Sequence, residues 1–587
     1  MTSLATKAAD PVSHTISNTS GAHVFAAALR RHGVEVIFGQ SIPAALFIVA
    51  PEFGIRQIGY RTENAGTVMA DAYARVSGKV PVVTAQNGPA ATLLVPGLAE
   101  ALKASIPIVA IVQDVHRQQT DKNAFQELDH LELFRGCAKW IKRVADVDRI
   151  DDYVDMAFTA AASGRPGPAV LIAPIDLFVD TPKADRTDRT QRVASLGTFP
   201  LDRSVADPSA IEAAADLLAA AEAPLVIAGG GVHVSGAADA VAALQEAASL
   251  PIATTVMGKG STDERHPLSV GIVGYFMGTR GRTRHLRSLV TDADVILLIG
   301  NRTNQNGTDS WNLYPKNAKY IHIDVDSQEI GRNYEAEVRL VGDARLTIEA
   351  LTAALKKRDL SARRAARPAL EARIAEGLRG WEADMAESVD MDRQPVRPER
   401  LMRDLDSVLT PDMIVVSDAS YSSIWVANFL TSRKPGMRFV TPRGLAGLGW
   451  GLPYAIGAKA ARPDAPIFCL AGDGGFAHVW SELETARRMN LPVVVTVLNN
   501  QILGYEKHAE KVLFNDYSDA CDFEAVDHAA IARACGCEGI RIENPADFKP
   551  ALEAALRSGK TTVLDVITDE HAYPPVSMFE ANQRLNY

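Results

Sequence analysis

Five cysteines in 587 residues are too few, too scattered and odd in number for a disulfide framework, so cysteine usage points to a reducing compartment. Cys535 and Cys537 are the one close pair, and no second pair follows at zinc-ligand spacing. No run approaches the ~18 apolar residues of a membrane span. The first twenty residues lack the apolar core of a signal peptide. These absences predict a cytoplasmic protein with a disordered leader over 1–20. Long blocks of one charge are missing too. The 61 basic and 71 acidic residues are interspersed, with a formal charge of −10, which argues against nonspecific nucleic-acid or membrane binding. No short-period repeat is visible.

What is present is an ordinary soluble composition, 47% hydrophobic and 22% charged. The length predicts three domains. Short apolar runs such as Val82–Ala85, Val295–Ile299 and Ile414–Ser417 alternate with amphipathic stretches such as Ala210–Ala221. That alternation predicts α/β domains, each a mostly parallel sheet covered by helices. Two linkers are expected, one through Pro182 to about Asp207 and one from about Lys356 to Pro398, its first part open to a helical reading. They divide the chain into 21–185, 207–355 and 396–571, followed by a tail or lid over 572–587. The first and last thirds could share a fold, which spacing alone does not show.

The most informative segment runs from Ile467 to Asn500. An apolar strand ends in Gly472-Asp473-Gly474-Gly475, an amphipathic helix follows, and a second apolar strand ends in Asn499-Asn500. This βαβ spacing places Asp473 and Asn500 at the carboxyl ends of two parallel strands, where open sheets bind ligands. A carboxylate and an amide oxygen suit Mg²⁺. Gly474 and Gly475 let backbone amides approach a diphosphate. The bland alternative is a glycine turn with two polar strand ends.

The pair of motifs resembles the signature of thiamine-diphosphate enzymes. The resemblance implies Asp473, Asn500 and the carbonyl of Ile502 as ligands of Mg²⁺. An independent match lies in the first third, in Arg61-Thr62-Glu63-Asn64-Ala65-Gly66, where Thr62 is a candidate N-cap and Glu63 occupies the first helical turn. In the family such a carboxyl bonds the N1′ ring nitrogen of the cofactor and drives its aminopyrimidine to deprotonate C2. Arg443-Gly444-Leu445-Ala446-Gly447-Leu448 matches the segment that bends the cofactor, with Leu448 between its rings and the Ala446 carbonyl at its 4′-amino group. Ser420, Tyr421 and Ser422, after another strand, are candidate diphosphate contacts. The resemblance also implies that Glu63 and the metal motif meet across subunits, hence a homodimer at least and commonly a homotetramer.

Within the family the chain looks closest to the acetolactate synthases, small-molecule enzymes that join two 2-keto acids. Phe125 and Gln126 are candidates for the substrate pocket, with Gln86 and Tyr505. A core aromatic is the alternative for Phe125. No Trp follows the double asparagine, and Gln86-Asn87-Gly88-Pro89 resembles sulfoacetaldehyde acetyltransferases equally. A 2-hydroxyacyl-CoA lyase, or an oxalyl-CoA decarboxylase-like enzyme acting on acyl-CoA thioesters, is the other enzymatic alternative. A noncatalytic subunit would be expected to lack Glu63 or Asp473, and both are present. In the middle third, Gly230 and Gly231 follow a strand, Arg302 ends another, and Asp324 ends a third with an acid suited to ribose hydroxyls. FAD, ADP or nothing are all compatible with that pattern.

Overall fold

The computed structural model describes residues 19–183, 195–390 and 392–579. The leader expected over 1–20 lies outside them except for its last two residues, and so does the tail beyond 579. Ser20, assigned to that leader, is buried at the start of the helix Gly21–Arg31.

Three six-stranded sheets carry the fold, and every strand pairing in them is parallel. The first contains β1 (Val36–Phe38), β2 (Arg56–Ile58), β3 (Val82–Ala85), β4 (Val109–Asp114), β5 (Trp140–Arg143) and β6 (Ala169–Pro174), in the order β2-β1-β3-β4-β6-β5. The second contains β7 (Pro224–Ala228), β8 (Ile252–Thr254), β9 (Ser269–Ile272), β10 (Val295–Ile299), β11 (Lys319–Asp324) and β12 (Ala336–Val341), in the order β12-β11-β10-β7-β8-β9. The third contains β13 (Ile414–Ser417), β14 (Phe439–Val440), β15 (Ile467–Gly472), β16 (Val494–Asn499), β17 (Glu538–Ile542) and β18 (Thr562–Ile567), in the order β14-β13-β15-β16-β18-β17. Central strands such as β3, β4, β6 and β10 are buried at every position. That is why they read as continuous apolar runs: helices cover both faces of a parallel sheet.

Counted from its own first strand, the third sheet has the same order as the first. The two outer domains therefore share a topology. The middle sheet follows instead the 3-2-1-4-5-6 order of dinucleotide-binding folds. The two outer domains meet through equivalent helices, Glu63–Ser77 and Gly451–Ala461, each lying between the second and third strands of its sheet. A Cβ on Gly457 would sit 2.0 Å from the Met69 carbonyl oxygen, so glycine is what lets these helices touch.

The stretch expected as a linker from Lys356 to Pro398 is mostly one thirty-residue helix, Ser361–Asp390. Its Ile374 enters the core of the middle domain, while Trp381 and Met385 enter that of the third. The charged, alanine-rich composition that reads as a linker is the exposed side of this strap. Among the described residues no helix is long and apolar enough to cross a membrane.

Candidate active site

The carboxyl ends of β13, β15 and β16 converge where the strand order of the third sheet reverses, the place an open α/β sheet offers a ligand. A cavity there is lined by Ser420, Tyr421, Ser422, Ala446, Leu448, Asp473, Gly474, Gly475, Asn500, Ile502 and Tyr505. These are the eleven positions expected from the last third, and Asp418 and Arg443, to which sequence reasoning assigned no role, line it as well. Asn306 from the middle domain, Pro398 and Ala572 are also part of the wall.

Asp473 opens the short helix Asp473–Ala477. Its carboxylate accepts from the Gly474 amide at 2.8 Å and the Gln501 amide at 2.6 Å, which ties the two strand ends together. Burial pushes the carboxyl up to about 6. No basic side chain lies within ion-pair distance of it among the described residues. The Asn500 amide oxygen and the Ile502 carbonyl belong to the adjoining turn, where the Ile502 amide approaches Asn500 Oδ1 at 3.4 Å. A Cβ on Gly475 would meet the Asp418 carboxylate at 2.6 Å. These donors are all hard oxygens around one enclosed carboxylate, a set suited to Mg²⁺.

Ala446 has φ +62° and Gly449 φ +80°, so the segment leading to Leu448 is held in an unusual backbone shape. Asp418 fixes its end, accepting from Gly449 at 3.1 Å and Trp450 at 3.2 Å. Glu100, fully buried on the first-domain helix Pro89–Ala104, fixes its start. The Glu100 carboxylate accepts from four successive amides, Arg443 at 3.0 Å, Gly444 at 2.7 Å, Leu445 at 2.5 Å and Ala446 at 3.3 Å.

Arg443 lines this cavity and also the one in the middle domain. Its guanidinium donates to Ser423 Oγ, its Nε has no hydrogen-bond partner, and no ion pair within 4.0 Å is formed by it among the described residues. Burial lowers its pKa to about 10. The Glu100 carboxylate opposes that charge without pairing with the guanidinium, and an enclosed cation so placed is costly unless a ligand supplies an anion.

The first-domain candidates lie elsewhere. Glu63 starts its helix behind the Thr62 cap, whose Oγ accepts from the Ala65 amide at 3.3 Å. Burial raises the Glu63 carboxyl above the usual carboxylate range. Gln86 donates to Gln126 at 3.0 Å, and the Asn87 amide reaches the carbonyls of Phe125 and Gln126. Phe125 is 83% exposed, which excludes the core-aromatic reading. Glu63, Gln86, Phe125 and Gln126 do not line the cavity formed by the last third of their own chain.

The middle-domain cavity opens between β7 and β10, where that sheet's order also reverses. Gly230, Gly231, Arg302 and Asp324 all line it. Burial pushes the Asp324 carboxyl up to about 6 and lowers the Arg302 guanidinium.

Sequence reasoning assigned no role to Glu100, Asp418, Arg443 or Asn306. A lone carboxylate in the apolar run Val95–Leu102 was the one available signal for Glu100.

Comparison with known proteins matches three family descriptions to this architecture. Residues 19–133 match the thiamine pyrophosphate enzyme N-terminal TPP binding domain, 211–351 the central domain, and 418–566 the C-terminal TPP binding domain. A probable acetolactate synthase large subunit of Methanocaldococcus jannaschii is 33% identical, covering 94% of this chain and 92% of its own. The acetolactate synthase large subunit of Parasynechococcus marenigrum is 33% identical, covering 96% and 90%. The large subunit of acetolactate synthase isozyme 2 of Escherichia coli is 31% identical, covering 96% and 99%.

Proposed function

The chain belongs to the thiamine-pyrophosphate-dependent enzymes and, within them, to the acetolactate synthase group, and from that premise we propose how its residues serve a 2-keto-acid carboligase. Thiamine diphosphate, when bound, supplies a carbanion centre and an electron sink for the donor keto acid. Every other contribution belongs to the chain.

Asp473, Asn500 and the Ile502 carbonyl hold Mg²⁺. The enclosed Asp473 carboxylate, without a cation in reach, supports this. The amides of Gly474 and Gly475 and the helix start at Ser420, Tyr421 and Ser422 receive the diphosphate. The Ala446 carbonyl and Leu448 would contact the pyrimidine end of the cofactor and fix its position in the cavity. Glu63 keeps a proton at the N1′ ring nitrogen, a task suited to a carboxyl raised by burial.

Glu63 reaches that nitrogen from a second copy of the chain. Support comes from the cavity wall, which is complete on the third-domain side and lacks Glu63, Gln86, Phe125 and Gln126. It comes also from apolar groups left exposed, Leu445 at 52% and Leu448 at 38% in the segment that reaches the cavity, and Phe125 at 83% in the first domain. The working form is then a homodimer at least, and a homotetramer if dimers pair. Gln86, Phe125, Gln126 and Tyr505 surround the substrate.

One observation carries the choice of a keto-acid acceptor: the unpaired Arg443 guanidinium, whose charge complements a carboxylate. In the middle domain, the cavity with Gly230, Gly231, Arg302 and Asp324 takes an adenosine diphosphate moiety, either as ADP or as part of FAD.

The test is mass spectrometry of ligands released on denaturing the purified protein, followed by a pyruvate-consumption assay. Thiamine diphosphate should be released, and FAD or ADP beside it tells the two nucleotides apart. Glu63→Gln should lose turnover by orders of magnitude while binding the cofactor. Unchanged turnover would overturn the role of Glu63. Arg443→Met should raise the KM for the keto-acid acceptor by about 10-fold or more, the cost of losing a charge-assisted hydrogen bond, with cofactor affinity unchanged.

A further inference from the structure

The two outer domains share a strand order, and a helix between the third and fourth strands carries one fully buried glutamate in each: Glu100 on Pro89–Ala104 and Glu482 on Glu482–Arg488. Each crosses the domain boundary in the opposite sense. Glu482, from the third domain, accepts from the Arg61 amide at 3.1 and 3.2 Å and from the Thr62 amide at 3.1 Å. These are the residues that lead directly into Glu63. Glu100, from the first domain, accepts from the four amides of Arg443–Ala446, which lead into Leu448.

Both carboxylates are braced by their own domain. Thr485 Oγ donates to Glu482 at 2.7 Å. Arg75, itself paired with Asp71 at 2.5 Å, reaches Glu100 at 3.4 Å. The approach to the backbone is close: a Cβ on Gly444 would lie 2.6 Å from the Glu100 carbonyl. A carboxylate gathering consecutive amides is an anion nest turned inward. Sealed from water, it holds a loop far more rigidly than an exposed side chain could.

We propose that Glu100 and Glu482 are reciprocal positioning residues, each fixing from across the domain boundary the backbone that presents a cofactor-directed group of the other domain. Glu482 sets the entry to Glu63, and Glu100 sets the Ala446–Leu448 turn. Neither lines the cofactor cavity, so each acts through the segment it holds. This rests on reading Glu63 as the group that activates the cofactor.

The experiment is a double-mutant cycle on the holoenzyme with thiamine diphosphate and Mg²⁺, reading the exchange rate of the cofactor's C2 proton in deuterated solvent. Glu482→Gln keeps the side-chain shape and withdraws one acceptor. It should slow exchange about 10- to 100-fold, the range expected when a reacting group is misplaced by about an ångström. Because its effect passes through Glu63, Glu63→Gln/Glu482→Gln should be no slower than Glu63→Gln alone. Losses that multiply in the double variant overturn the positioning role. Thr485→Val, which removes only the brace, should give a smaller loss that vanishes in the Glu63→Gln background, and covers the case in which Glu482→Gln does not fold. Wild-type exchange in Glu63→Gln would instead sink the reading of Glu63 itself, a result distinct from multiplying losses. For the other half, Glu100→Gln should slow exchange measured without any keto acid present, and Glu100→Asp, too short to span the nest, should not rescue it. Full exchange in Glu100→Gln would overturn its role.

Discussion

A carboxylate as enclosed as Asp473, raised to about 6 by burial and with no cation in reach, is expensive to leave alone. If Mg²⁺ is bound there as proposed, it relieves that cost, and removal of the metal should be felt at this residue first. Asp473→Asn keeps the volume but removes the charge and replaces one of the two accepting oxygens by an amide nitrogen. Titration of the apo-protein with thiamine diphosphate in the presence of Mg²⁺ should show affinity weakened by 10-fold or more, roughly the value of a charge-assisted contact. Wild type in excess chelator should show the same weakness. Asp473→Asn binding the cofactor as wild type does would remove Asp473 from the ligand set. The motif made this residue visible in sequence because glycine on both sides of an acid at a strand end has few uses. Arg443 was quoted in a motif without a role, because its lack of a partner is a fact about its surroundings.

At the level of the element, the helix Glu63–Ser77 is set by a local signal and a distant one. Locally, Thr62 caps it, and Thr62→Ala should cost about 1 kcal/mol in chemical denaturation, the usual value of an N-cap. At a distance, the turn that answers it in the third domain hangs from Asp418. Burial raises that carboxyl from 3.8 to about 6, against the opposing pull of the Ala419, Trp450 and Gly449 amides. A group whose pKa rises on folding takes up protons as the chain folds. Its contribution favours the native state below the unfolded value and is lost as pH climbs through the folded one. Apo-protein melting temperatures should therefore fall in wild type relative to Asp418→Asn as pH rises between those two values, and run parallel above them. The strand runs were legible because parallel strands buried on both faces are continuously apolar. Strands of two or three residues, such as β14 and β8, carry too few residues to show a period. The helix Ser361–Asp390 reads as a linker because most of its length faces solvent, with Trp381 and Met385 as sparse anchors.

For the whole molecule, the proposed arrangement lies between copies. If Glu63 of one subunit serves the Asp473 of another, two inactive variants can repair each other. Glu63→Gln and Asp473→Asn, mixed and allowed to exchange subunits, should recover roughly a quarter of wild-type turnover. Half of randomly formed dimers are mixed, and each mixed dimer holds one intact site. Two sites each built within one chain would recover nothing. Assay on mixing, with size-exclusion chromatography as the control for dimer formation, decides between them.

The sequence by itself determined the class of fold, the cofactor family and the residues whose chemistry is written in short motifs. Strand periodicity, a glycine-flanked aspartate and a double asparagine are local facts, and local sequence records them. Only the tertiary structure decided that the outer domains share one strand order while the middle sheet follows another. It alone brought Glu100 and Glu482 to the amides of the opposite domain, over separations of hundreds of residues. A buried carboxylate finds its donors through packing, and packing distance has no counterpart in spacing along the chain.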